Sequence, residues 1–232
     1  MNDLEKYFGA NTGNLINKWQ HYFEIYDRHF ARFRGTQVNV LEFGVAHGGS
    51  LLMWKDYFGA QARIFGVDNN PHCKSLECDR VEITIGDQAD REFLRGLSAQ
   101  LPRIDILIDD GGHTMQQQIT TFEEMYARVD AHGVYLCEDL HTSYWPDWGG
   151  GYGNSDTFIE FSKRLIDQLN AWHSIDAQRM PVTELTRSAH ALHFYDSVLV
   201  VEKRPGEKPS NVKTGVPQIP TAPAPRNFPK PY

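Results

Sequence analysis

The chain has 232 residues, 41% hydrophobic and 23% charged, the proportions of a globular protein with one sizeable core. A formal charge of −7 with no basic stripe argues against a nucleic-acid partner, and the absence of a run of about 18 apolar residues argues against a membrane span. The start, MNDLEKYFGANTG, lacks the basic and apolar regions of a secretory signal. Cys73, Cys78 and Cys137 form no CxxC pair, so they read as reduced thiols of a cytoplasmic protein rather than a disulfide or zinc site.

Residues 1–35 read as an N-terminal helical segment covering a pocket. Leu15, Trp19, Tyr22, Phe23, Tyr26, Phe30 and Phe33 follow i, i+3, i+4, i+7 spacing, which predicts an amphipathic helix over 14–34 ended by Gly35. The aromatic stripe reads as a packing face, with its tyrosines and His21 at a pocket mouth as the alternative. A short buried strand, 38–45, then runs into Glu42-Phe43-Gly44-Val45-Ala46-His47-Gly48-Gly49-Ser50 and a helix over 51–58. This is a strand, a glycine-rich turn and a helix, which lets backbone approach a nucleotide-like ligand. The spacing is not the dinucleotide G-x-G-x-x-G. With Glu42 inside the strand and Gly44 and Gly48 in the turn, it is the pattern of Rossmann-type binders of S-adenosylmethionine (SAM).

The next strand, 63–67, ends in Asp68, 20 residues beyond Gly48, the place for an acid on ribose hydroxyls. The alternative is that Asp68 caps the Asn69-Asn70-Pro71 turn. A third strand, 81–85, leads into Gly86-Asp87-Gln88, with Asp87 toward the adenine amine. After a helix over 90–100, Asp105-Ile106-Leu107-Ile108 reads as a strand buried on both faces. It breaks into Asp109-Asp110-Gly111-Gly112-His113, where ligand chemistry is expected in an open α/β sheet, with Asp109 on the cofactor side. A helix over 115–129 and a strand over 134–137 ending in Glu138-Asp139 complete the rhythm of a parallel sheet with right-handed crossovers. The segment 141–153 sets His141, Tyr144 and Trp145 among glycines, as a loop over the pocket offering rings to a carbohydrate face or as an irregular surface loop. A helix over 156–172 and an antiparallel pair, 191–195 and 198–202, follow. The tail, 205–232, holds eight of the twelve prolines, an extended arm suited to its own domain or to a partner subunit in a homo-oligomer.

Neighbouring strand ends bring Asp110 and the pair Glu138-Asp139 to one point, with His113 close by. Three carboxylates without a thiolate favour a hard cation, Mg²⁺ first and Mn²⁺ second, ahead of zinc through His113. Such a cation acidifies a vicinal diol, and a neutral imidazole removes the hydroxyl proton, which is the chemistry of O-methyl transfer.

The runs EFGVAHGGSLLMWKDYF, GVDNN, GDQAD, DILIDDGGH and VYLCEDLHTSYW resemble the metal-dependent sugar O-methyltransferases of the macrocin, mycinamicin and rhamnosyl type, in the SAM-dependent class I. The combination of DDGGH with EDLHTSYW is specific, and the resemblance spans residues 36–203. It implies an α/β, Rossmann-like SAM-dependent methyltransferase fold over 36–204, with a mostly parallel seven-stranded sheet, helices on both faces and an antiparallel terminal strand. It implies Asp110, Glu138 and Asp139 as magnesium ligands, His113 as general base with Asp110 beside it, and Glu42, Gly44, Ser50, Asp68 and Asp87 around SAM. The acceptor implied is a sugar or glycoside, either a natural-product deoxysugar or the 1-hydroxyl of a methylated mannoside, since methyltransferases that cap methylmannose polysaccharides are also similar. Only about 35 residues precede the first strand, which departs from the macrolide enzymes' long N-terminal domain and leaves assembly and aglycone recognition open. Two other readings stand beside this one: methylation of a catechol or other small phenol, and a non-catalytic SAM-binding module.

Overall fold

The computed structural model describes residues 1–219. Seven strands, β1 (Asn39–Phe43), β2 (Arg63–Asp68), β3 (Val81–Ile85), β4 (Ile104–Asp109), β5 (Val129–Cys137), β6 (Ala189–Tyr195) and β7 (Val198–Lys203), form one sheet of order β3-β2-β1-β4-β5-β7-β6. The first five pair in parallel, β7 runs antiparallel to β5, and β6 runs antiparallel to β7. Only β7 is therefore reversed, as the sequence led us to expect.

Every residue of β4 is buried, because helices cover both faces of the sheet. Alternate residues of β1 point to opposite faces, with Val40 in one apolar core and Leu41 in the other. The first core holds α1 (Asp3–Ala10), α2 (Tyr22–Phe30) and α3 (Gly49–Phe58). The second holds α4 (Arg91–Gln100), α5 (Met115–Met125), α6 (Phe158–Leu169) and the short α7 (Glu184–Ser188).

The helix expected over 14–34 begins only at Tyr22. The cause is local: the Asn11 side chain accepts from Gly13 N at 3.0 Å and donates to Asn14 O at 2.8 Å, a turn that competes with helical hydrogen bonding. Residues 11–21 therefore run as a strap with no α-helix. An unforeseen helix, α1, precedes it, started by a capping box between Asn2 and Glu5. The helix read over 115–129 gives way at Tyr126 to one 3₁₀ turn, and β5 begins at Val129, five residues earlier than read. Segment 141–153 is not an open loop throughout: Leu140–Tyr144 and Pro146–Trp148 are 3₁₀ turns.

Cys73 and Cys137 are buried free thiols and Cys78 is an exposed one. Among the described residues no helix is long and apolar enough to cross a membrane. Residues 205–219 are exposed and carry no helix or strand, and the rest of the proline-rich tail lies outside the described residues.

Candidate active site

Strand register builds the site. Phe43 of β1 lies opposite both Val67 and Asp109, and Asp109 lies opposite Cys137. One step further along, Gly44, Asp68, Asp110 and Glu138 leave the sheet at the same edge. Gly44 adopts a φ of 94°, and a Cβ there would stand 2.0 Å from the carbonyl oxygen of Asp110. Glycine is thus required for the first turn to lie against the fourth strand end. The strap closes over it: a Cβ on Gly49 would meet the carbonyl of Leu15 at 2.4 Å.

Between these segments opens a cavity of about 350 Å³, lined by Gly44, Ser50, Asp68, Asp87, Asp110 and His113 among others, with Ile16 and Lys18 from the strap. Of five expected cofactor positions, four line the cavity and Gly48 does not. Gly44 and Ser50 line the cavity directly. Asp68 also lines it, and its carboxylate ties the turns together, accepting from Val45 N at 2.9 Å, Ala46 N at 3.0 Å and Asn70 N at 2.8 Å. The turn cap read as the alternative for Asp68 is present, and the same residue also lines the cavity. Asp87 faces the cavity while accepting from Ala89 N at 2.8 Å. Gly48 does not line it; its left-handed φ of 74° starts α3.

Two acids expected beside the cofactor sit behind the cavity wall instead. Glu42 is fully buried and accepts from Ser50 Oγ at 2.7 Å. Asp109 is also fully buried, accepting from Gln88 Nε2 at 2.9 Å and Tyr135 OH at 3.3 Å. Burial pushes its carboxyl up to about 7, against the pull of those two donors. Asp109 braces the floor, because Gln88 in turn accepts from Gly112 N at 2.8 Å and so holds the Gly-Gly turn.

The acids at the ends of β4 and β5 do converge. Asp110, His113 and Asp139 each offer an atom within 4.8 Å of the others, a donor set that suits a hard cation with open positions. His113 Nε2 lies 3.4 Å from Asp139 and 3.8 Å from Asp110, and its Nδ1 is buried without a hydrogen-bond partner. His113 and Asp139 both adopt left-handed backbone, at φ 57° and 55°. Thr142 Oγ1 donates to the His113 carbonyl at 2.9 Å and helps hold this strained geometry.

Glu138 is the member set apart. It is buried and accepts from Lys18 Nζ at 3.0 and 3.1 Å and from Tyr26 OH at 2.7 Å. Lys18 also contacts the Asp110 carboxylate and lies 3.6 Å from Glu42. Burial alone would lower the Lys18 ammonium, but Asp110, Glu138 and Glu42 together hold it well above its ordinary range. One ammonium does not neutralise three carboxylates, and burial with the Asp110 charge pushes Glu138 up. Tyr22 OH donates to Asp139 at 2.7 Å. Lys18 carries no signal in the sequence, because its partners Asp110, Glu138 and Glu42 are brought to it only by the fold. Tyr22 and Tyr26 were read chiefly as packing groups; they pack and also donate to the acids.

A second cavity of about 300 Å³ adjoins the first and shares Asn17, Lys18, Asp110 and Asp139 with it. Trp19 and His141 form its far side. His141 stands edge-on to Trp19 at 5.8 Å and packs on Trp145 at 4.6 Å between ring centres. Of the three loop residues read as substrate-facing, His141 reaches the cavity, while Tyr144 and Trp145 lie outside its lining and are half exposed.

No family model matches the chain. It is 38% identical over 198 residues to the 8-demethyl-8-alpha-L-rhamnosyl tetracenomycin-C 2'-O-methyltransferase of Streptomyces olivaceus, covering 81% of this chain and 52% of that one. It is 37% identical over 191 residues to the mycinamicin VI 2''-O-methyltransferase of Micromonospora griseorubida, covering 77% and 47%. The solved MycE methyltransferase of the mycinamycin biosynthetic pathway, in complex with Mg, SAH and mycinamycin VI, matches with a TM-score of 0.78 at 31% identity, over 94% of this chain and 56% of that one. The chain spans about half the length of the curated relatives it matches. The fold is the Rossmann-like fold of SAM-dependent methyltransferases.

Proposed function

We propose that this chain, a homologue of natural-product sugar O-methyltransferases, is a SAM- and Mg²⁺-dependent O-methyltransferase acting on a sugar hydroxyl. The observation that carries the reading is the pair of adjoining cavities that share Asp110 and Asp139. A methyl donor in the glycine-turn cavity and an acceptor in the aromatic one would meet at that acidic ledge. The donor set suits Mg²⁺ on Asp110 and Asp139, with Glu138 joining when Lys18 gives way. When bound, such a cation supplies an acidified, fixed acceptor hydroxyl.

The remaining work belongs to the chain's own residues. Gly44, Ser50, Asp68 and Asp87 hold the donor, and the strap with Ile16 keeps water from it. His113, poised beside Asp110 and Asp139, takes the hydroxyl proton. The acceptor oxygen attacks the sulfonium methyl in line, so that a C–O bond forms as the C–S bond breaks. Trp19 and His141, which line the second cavity, offer a ring face and a polar edge for a sugar.

Support for a sugar comes from the names of the relatives, two of which are O-methyltransferases of rhamnosyl tetracenomycin-C compounds. Within that class the acceptor is a deoxysugar glycoside or the 1-hydroxyl of a methylated mannoside. Methyl transfer from labelled SAM to rhamnosides, mannosides and catechols, with Mg²⁺ and with excess EDTA, tests this. Mg²⁺-dependent turnover on a glycoside is expected. Turnover confined to catechols, full turnover in EDTA, or SAM binding with no turnover on any acceptor would each overturn it.

A further inference from the structure

We infer that His29, His193 and Glu202 form a second metal site, for a borderline cation of the Zn²⁺ type, separate from the acidic ledge. His29 lies on α2, His193 on β6 and Glu202 on β7, and one ligand atom from each falls within 4.8 Å of the other two. His29 Nδ1 is 2.8 Å from Glu202 Oε1, and His193 Nε2 is 3.7 Å from Glu202 Oε2. Donors on a tetrahedral zinc with bonds of about 2.0–2.1 Å stand roughly 3.4 Å apart, so the three atoms, all within 4.8 Å of one another, hold an ion once the side chains adjust around it.

Two further observations point to a ligand. The His193 Nε2 atom is shut away from solvent and has no hydrogen-bond partner, a costly state for an imidazole nitrogen facing a carboxylate. His29 Nε2 is 2.9 Å from Tyr195 OH, the outer contact that fixes the tautomer and direction of a ligating imidazole. Binding through Nδ1 places the proton on Nε2, where the Tyr195 oxygen accepts it. Two imidazoles and one carboxylate select Zn²⁺, Co²⁺ or Ni²⁺ over Mg²⁺. The Glu202 and His193 side chains are themselves partly exposed on the hairpin.

The location gives the ion a structural task. Tyr22, Tyr26 and His29 share one stripe of α2, and the two phenols donate to Asp139 and Glu138. A cation joining His29 to the β6–β7 hairpin clamps the helix that carries both phenols.

Co²⁺, as a spectroscopic probe, is titrated into the full chain in excess Mg²⁺, which saturates the hard-oxygen site. One equivalent with a tetrahedral d–d band, displaced by Zn²⁺, is expected. His193→Ala and Glu202→Gln, both at partly exposed strand positions, should each weaken Co²⁺ binding at least tenfold, and Asp110→Asn should keep the band. Zn²⁺ should raise the Tm of the parent chain and not that of His193→Ala. Absence of the band, unchanged affinity in both strand variants, or loss of the band in Asp110→Asn alone overturns the inference. None of these readouts depends on methyl transfer, so failure here is distinguishable from failure of the proposed activity.

Discussion

Replacing Lys18 with methionine removes the ammonium from among Asp110, Glu138 and Glu42 while keeping an unbranched side chain only one atom shorter. The Lys18 side chain is 2% exposed, and those of Glu42 and Glu138 are 0% and 1% exposed. Breaking a buried ion pair costs roughly 3–5 kcal/mol, because the charge left behind is uncompensated. Glu138 is already pushed toward its neutral form by burial, so protonation relieves part of the loss and the lower end, about 3 kcal/mol, applies. For a chain of this size that is a fall in Tm of roughly 6–12 °C in the absence of metal. Mg²⁺ should reverse it. In the parent chain, drawing Glu138 onto the ion means pulling Lys18 away; in Lys18→Met that opposition is gone. The Mg²⁺ Kd should therefore tighten at least tenfold, about 1.4 kcal/mol. Urea unfolding with and without Mg²⁺, with calorimetric titration of the ion, measures both effects. A metal-free variant as stable as its parent, or an unchanged or weaker Mg²⁺ Kd, would refute the role given to Lys18.

Three other outcomes follow from the geometry. Gly44→Ala forces a side chain onto the Asp110 carbonyl in left-handed backbone, so a loss of about 2–4 kcal/mol and of SAM binding is expected by unfolding and titration. His113→Gln keeps a polar group at the ledge but removes the proton acceptor, so turnover should drop by about 10²–10⁴ while SAM binds as before; equal loss of SAM binding would make His113 structural. Asp109, with a folded value of about 7 above its ordinary 3.8, contributes stability that is full below about pH 4 and is lost as pH rises through 7. Asp109→Asn keeps an acceptor for Gln88 and should remove a decline on the order of 2 kcal/mol between pH 5 and 8; equal slopes in the two proteins would count against it.

The strands and their acidic ends were legible because a buried parallel strand is a short apolar run and its exit is where polar residues reappear, as at Ile106-Leu107-Ile108 before Asp109-Asp110. Once the strands are placed, parallel register alone sets Asp110 beside Glu138. Which acid of an adjacent pair faces the ligand was not legible: Asp109 turns to Gln88 and Tyr135, while Asp110 turns to the cavity. The alternation of a strand end assigns opposite faces to the two, but only the packed helices decide which face is solvent.

The strap was misread for a related reason. Leu15 and Trp19 sit at helical spacing with Tyr22 and Phe23, yet both are exposed, while Ile16 and Lys18 point inward. The Asn11 turn breaks the helix locally, and the surface of the glycine turn then sets the path of the chain. The sequence by itself determined the sheet, its ligand edge and the acidic residues on it. Tertiary structure decided which cation those acids meet within the chain, because Lys18 reaches Asp110 and Glu138 across separations of 92 and 120 residues. Local periodicity reports the face on which a residue lies, and contacts that distant are set by how whole layers pack.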